Sequence, residues 1–182
     1  AFRNCAGLTS IHIPKSVTTI KFGNNPFEGC RDLSQITVAE DNPVYDSHEG
    51  CNAIIETKSK KVISGCKTTV IPKDANEIGA EAFMDCTSLT SITIPENVMN
   101  IGECAFNGCA GLTSIHIPKK VKKIGEGVFN GCAGLTSITV AEGNPVYDSR
   151  EGCNAIIKKE ENLLVVGCKS TVIPESVTEI GE

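Results

Sequence analysis

Phe83, Phe106 and Phe129 stand 23 residues apart, and each opens the same pattern of apolar residues. After Phe83 come Cys86, Leu89, Ile92, Ile94 and Pro95; after Phe106 come Cys109, Leu112, Ile115, Ile117 and Pro118; after Phe129 come Cys132, Leu135, Ile138 and Val140. The frame recurs at Phe2, Cys5, Leu8, Ile11, Ile13 and Pro14, and at Phe27, Cys30, Leu33, Ile36 and Val38. A fixed period of this length constrains the chain more than any other feature. Each repeat is one coil that cannot bury its apolar side alone, so coils must stack into a solenoid.

Within a coil the pattern ends in strict alternation. Ile115 and Ile117 face one way while Ser114 and His116 face the other, as a half-buried strand requires. Equivalent strands in successive coils can pair only in parallel, about 4.8 Å apart. The proline after each strand lacks an amide hydrogen and stops the ladder. A second apolar pair, Val98 with Ile101-Gly102 and Val121 with Ile124-Gly125, anchors the return path, and Ile-Gly-x-x-Ala-Phe reads as a short helical or 3₁₀ turn opposite the sheet. The cysteine once per coil, at Cys5, Cys30, Cys86, Cys109 and Cys132, reads as a stack of buried, reduced thiols.

A longer period overlies the short one. Asn42-Pro43-Val44-Tyr45-Asp46-Ser47 matches Asn144-Pro145-Val146-Tyr147-Asp148-Ser149, and Cys51 and Cys66 match Cys153 and Cys168, all offset by 102. These mark two inserts, at about 42–67 and 144–169, in which two apolar runs flank a polar turn as in a β-hairpin. Folding about Lys58-Ser59 and about Glu160-Glu161 sets Cys51 opposite Cys66 and Cys153 opposite Cys168. Each pair is either a disulfide or a pair of packed thiols, because bridging geometry is demanding. The segments Thr69–Pro72 and Thr171–Pro174 then rejoin the solenoid as shortened strands, giving a sheet of seven.

The run Phe-x-x-Cys-x-x-Leu-x-x-Ile-x-Ile-Pro followed by Val-x-x-Ile-Gly resembles the BspA-like leucine-rich-repeat family of bacterial surface proteins, over essentially the whole chain. The resemblance implies a right-handed superhelix, secretion or surface display, and adhesion to host matrix proteins or other cells. It implies no catalytic residues. The expected fold is therefore a β-rich α/β solenoid over 1–182, cut within a repeat at both ends, with a parallel sheet on its concave side and two inserted hairpins.

Composition and motifs narrow the function. A net charge of −5 and a pI near 5.3 argue against a nucleic-acid partner. The one basic run, Lys119, Lys120, Lys122 and Lys123, is either a solvated loop face or a patch for an acidic partner. No apolar run approaches the roughly 20 residues that span a bilayer, so no membrane insertion is expected within the segment. There is no Gly-x-Ser-x-Gly elbow, His-Glu-x-x-His, phosphate loop or Cys-x-x-Cys. Gly125, Gly127 and Gly131 have the wrong spacing for a dinucleotide site. The cysteines fall singly along the coils and not in zinc-ligand pairs, and Asp46 with Glu49, or Asp148 with Glu151, is too sparse for more than weak calcium binding. No catalytic, metal or cofactor site is expected.

What remains is surface. Outward strand positions form two rows, Ser10, Gln35, Ser91, Ser114 and Ser137 beside His12, Thr37, Thr93, His116 and Thr139. They make a small, polar, nearly uncharged face suited to a shallow contact, or simply the ordinary exterior of a strand. The hairpins, taken as projecting, are a second candidate surface, with Tyr45 and Tyr147 as contacts or as packing at the hairpin base. The function expected is a non-catalytic adhesion or protein-binding module on the bacterial surface, with an unidentified protein partner on host matrix or another cell. The alternatives are a structural stalk carrying a domain elsewhere and, more remotely, a carbohydrate-active solenoid enzyme, against which stands the lack of an outward carboxylate pair.

Overall fold

A computed structural model describes residues 1–21 and 25–181; the Glu49 side chain, and with it the proposed Asp46–Glu49 pair, lies outside the described residues. The strands, in chain order, are β1 Ser10–Ile13, β2 Gln35–Val38, β3 Tyr45–Asp46, β4 Ala53–Glu56, β5 Lys61–Gly65, β6 Glu77–Ile78, β7 Asn100–Ile101, β8 Ser114–Ile117, β9 Lys123–Ile124, β10 Ser137–Val140, β11 Tyr147–Asp148, β12 Ile156–Lys158, β13 Leu163–Val166 and β14 Glu179–Ile180. They wind into a β-solenoid of about six turns.

Repeat positions stack on themselves. Ile115 pairs with Ile138 and Ile117 with Val140 where β8 meets β10, and Ile11 pairs with Ile36 where β1 meets β2. Inside, Phe83, Phe106 and Phe129 stack face to face, with centroids 5.1 and 5.5 Å apart. On the return side β6, β7 and β9 are parallel, and the glycine after each isoleucine donates its amide to the preceding coil, Gly102 to Ile78 O and Gly125 to Ile101 O. A Cβ on Gly102 would stand 2.4 Å from Ala80 N, so the Ile-Gly signature reflects backbones too close for a side chain.

Three expectations are corrected. The Ile-Gly-x-x-Ala-Phe segment is not helical. It is a chain of tight turns closed by bonds such as Ala82 N to Gly79 O and Cys86 N to Phe83 O, with Glu81 and Asp85 at positive φ. Cys104 with Gly108, and Gly127 with Gly131, repeat this in the next two coils. A left-handed residue every fourth position prevents helix propagation. The only 3₁₀ segments among the described residues, His48–Gly50 and Arg150–Gly152, lie in the inserts.

Second, the described residues form no seven-stranded sheet. The Leu-x-x-Ile-x-Ile side carries two separate pairs, β1–β2 and β8–β10, while the longest sheet, β3-β4-β5-β6-β7-β9, runs along the return side. After each hairpin the chain bonds to the hairpin's own base, Val70 N to Cys51 O and Val172 N to Cys153 O, so Thr69–Pro72 and Thr171–Pro174 do not extend the neighbouring strands.

Third, the hairpins do not project. β5 pairs in parallel with β6, so the first hairpin joins the six-stranded return sheet, and β13 pairs in parallel with β14, so the second joins the chain that follows it in a separate four-stranded sheet, β11-β12-β13-β14. Ile54 and Ile63 pack with the coils before the insert, while Ala53, Ile55 and Val62 pack with those after it. Both faces are covered, which is why the strands read as continuous apolar runs instead of alternating.

Candidate functional site

The inserts are attached by an asparagine and a tyrosine. Asn144 donates to Pro118 O (2.9 Å) and Val121 O (3.0 Å) in the coil before, and its Oδ1 accepts from Val146 N (2.9 Å) and Tyr147 N (2.8 Å). Asn42 makes the same four bonds, to Pro14 O, Val17 O, Val44 N and Tyr45 N. Tyr147 Oη accepts Ile124 N at 3.2 Å and Tyr45 Oη accepts Ile20 N at 2.9 Å. Each tyrosine thus takes up a backbone donor on the coil before its insert, where the return sheet restarts.

Both tyrosines are buried, at 4% and 5% exposure, and burial pushes the Tyr147 hydroxyl up. They are therefore not contact residues, and the structure removes Tyr45 and Tyr147 from the candidate surface. Sequence reading missed Asn42 and Asn144 as partners in this latch, although their recurrence 102 residues apart was its signal.

The hairpin cysteines are free thiols. Near the turn, Glu56 pairs with Lys61 and Ile55 with Val62, in the register expected for a Cys51–Cys66 pairing. A bulge then shifts Ile54 to Ser64 and Ala53 to Gly65, setting Cys66 opposite Asn52, whose carbonyl accepts the Cys66 thiol at 3.4 Å. In the second insert the shift between Ile156 and Ile157 has the same effect, and Cys168 donates to Asn154 O at 3.3 Å. The expected juxtapositions Cys51–Cys66 and Cys153–Cys168 are thus displaced by one residue.

The once-per-coil thiols point along the stack. Cys30, Cys109 and Cys132 donate to the carbonyls of Phe2, Phe83 and Phe106 in the coil before, at 3.0–3.1 Å. Burial pushes the Cys86 thiol up to about 12 and the Cys132 thiol up to about 11. Cys5 departs from the expected column, being exposed on the first coil.

The strand-side rows lie where alternation puts them. Ser10, His12, Gln35, Ser91, Thr93, Ser114, His116 and Thr139 are exposed, and Thr37 and Ser137 are half-buried. His12 Nδ1 shares a hydrogen bond with Thr37 Oγ1 (3.0 Å), and His116 Nδ1 one with Thr139 Oγ1 (2.9 Å), so imidazole and hydroxyl bridge neighbouring coils. A shallow hollow of about 430 Å³ lies over Ser91, Thr93, Ser114, His116, Ser137 and Thr139. Beside it, sharing Ser91–Ile94 as a common wall, is a second of about 660 Å³ lined by Val70, Ile71, Lys73, Ile92, Ile94 and Pro95.

Sequence reading missed this second hollow. Its signal was Val70, an apolar residue at the outward position that holds Thr93 one coil later; Val70 is 71% exposed. Among the described residues no cluster of His, Cys, Asp and Glu could hold a metal, and no helix is long and apolar enough to cross a membrane.

Stacked parallel rungs, phenylalanines in register and an Ile-Gly return path define a leucine-rich-repeat β-solenoid. The BspA type leucine-rich-repeat region matches in six copies over residues 1–48 and 54–150, and the chain belongs to that family. Among solved structures, a leucine-rich repeat protein from Eubacterium ventriosum ATCC 27560 is 29% identical with a TM-score of 0.63, covering 72% of this chain and 36% of that one. A leucine rich cell surface protein from Faecalibacterium prausnitzii A2-165 is 28% identical with a TM-score of 0.53, covering 87% and 45%. The pneumococcal vaccine antigen PcpA, 24% identical with a TM-score of 0.53 over 75% and 40%, shares the fold. The chain thus spans less than half the length of each of these. No curated protein matches it.

Proposed function

We propose that this chain is a non-catalytic recognition module of a protein displayed on the bacterial surface or secreted, and that its strand-side face engages a protein on host matrix or another cell. The observation that carries the reading is the pair of adjoining hollows flanking Ser91–Ile94, in which apolar Val70, Ile71 and Ile92 lie among Ser91, Thr93, Ser114 and Thr139. A broad contact of this kind needs an apolar centre inside a polar rim, and Val70, Ile92 and Pro95 beside Ser91, Thr93 and Ser114 provide it. The surface-protein family and a relative described as a cell surface protein support the location.

The test is solid-phase binding of the purified chain to matrix proteins and intact cells, against a variant carrying Val70→Arg and Thr93→Arg. Both positions are exposed, so the fold survives, and at least a tenfold loss of binding is expected if they sit at the centre of the contact. Unchanged binding by the variant excludes this face. No binding by the parent chain favours the stalk, in which these coils hold a recognition domain outside the segment.

A further inference from the structure

We infer that the corner between β8 and β9 is a docking site for a linear anionic polysaccharide, separate from the strand-side face. Several coils turn through the motif Pro-x-x-Val-x-x-Ile, starting at Pro14, Pro95, Pro118 and Pro174, and its four variable positions are exposed except at the half-buried Asn100. The preceding coil fills them with Glu96, Asn97, Met99 and Asn100, and the first coil with Lys15, Ser16, Thr18 and Thr19. The coil at the corner has lysine at all four, Lys119, Lys120, Lys122 and Lys123, and all are exposed. The repeat needs no lysine there, and four like charges on one ridge repel one another.

Lys123 shares a shallow hollow with Glu77, Glu103 and Glu126, so the positive charge of the ridge is centred on Lys119, Lys120 and Lys122. Lys120 Nζ donates to Asn97 Oδ1 at 2.8 Å, a neutral partner. Among the described residues, none of the four lysines has a carboxylate within ion-pair distance. Lys119 instead lies beside Gly143, with Glu142 next along the chain. A remote segment adds positive charge to the same place. The second hairpin carries Lys158-Lys159 where the first carries Glu56-Thr57. Lys159 Nζ bonds to Asn144 O, and the Asn144 side chain is held by Pro118 O and Val121 O at the centre of the corner. Lys158 is paired with Glu161, so Lys159 is the addition.

The surroundings select the partner. Lysines present compact point charges without the planar fork that recognises a single carboxylate or phosphate. Among the described residues no aromatic ring flanks them on the surface to stack a nucleobase, since Tyr147 is buried. Among the described residues the exposed apolar neighbour is Met99, too little for the buried centre of a protein interface. Four lysines within five residues, folded by the turn that Val121 N closes on Pro118 O, present closely spaced point charges to a chain bearing carboxylate or sulfate at regular intervals.

The purified chain is titrated with heparin, with hyaluronate, with neutral dextran, and with polyglutamate and duplex DNA of similar charge. One variant carries Lys119→Gln, Lys120→Gln, Lys122→Gln and Lys123→Gln. A control with the same net charge carries Lys21→Gln, Lys58→Gln, Lys67→Gln and Lys169→Gln. Salt-sensitive binding to heparin or hyaluronate, absent for dextran, is expected to weaken at least tenfold in the first variant and less than twofold in the control. No glycan binding by the parent chain, equal losses in both variants, or tighter binding to polyglutamate or DNA than to either glycan overturns the inference.

Discussion

Asn144 makes four hydrogen bonds with one side chain and joins a coil to its insert, which no hydrophobic contact could do with the same directionality. It is 1% exposed, so replacing it strands the Val121 carbonyl and two amides where water does not reach, while Pro118 O keeps its bond from Val121 N. Each such group costs about 1–3 kcal/mol, less where the chain relaxes. Asn144→Ala is therefore expected to lose about 3 kcal/mol in urea unfolding. Asn42→Ala, at a half-buried site with the same bonds, is expected to lose less. Equal, negligible losses at both sites would mean that the latch does not hold the insert. The asparagines were legible as a repeated motif, but their bonds reach residues 23–28 positions away and depend on how coils stack.

At the scale of elements, what could be read depended on whether the determinant was a side chain or the backbone. The strands β1, β2, β8 and β10 follow from alternation and lie where it places them. The turns after Ile-Gly do not, because half their left-handed positions carry Glu81, Asp85 or Cys104 and do not advertise themselves as glycine would. The bulge that moves Cys66 away from Cys51 is likewise a backbone event with no side-chain signature. Continuous burial of Ala53-Ile54-Ile55 was written in the sequence as the lack of a polar face, and it already argued against a projecting hairpin.

The cysteine column has a consequence at this scale. Because burial raises the thiols of Cys86 and Cys132 to about 12 and about 11, the folded chain holds these protons more tightly than the unfolded one, whose thiols titrate near 9. That stability is complete below pH 9 and is lost as pH rises towards the folded values. The midpoint of thermal unfolding is expected to fall between about pH 9 and about pH 11, and to fall less steeply in a Cys86→Ala, Cys132→Ala variant that lacks these protons. Identical slopes in the two proteins would show that the column plays no part in the decline.

For the whole molecule, the hairpins are partitions within the stack. One core gathers Phe27, Leu33, Ile36 and Tyr45 against Ile54 and Ile63, and a second gathers Ile55 and Val62 with the three stacked phenylalanines Phe83, Phe106 and Phe129. The first hairpin lies between them and carries contact from one set of coils to the next. With the hairpins committed to the interior, the strand-side face and the lysine corner remain exposed, and these are the surfaces we propose for recognition. This division of labour rests on the hairpins being rungs of the solenoid, and native-state amide hydrogen exchange tests that directly. The account predicts that Gly79 N, bonded to Val62 O, Gly65 N, bonded to Ala82 O, and Ile124 N, bonded to the Tyr147 hydroxyl, exchange as slowly as the amides of β8 and β10. Exchange of these three amides at the rate of the exposed corners, with β8 and β10 still protected, would mean that the hairpins stand away from the stack and would contradict it.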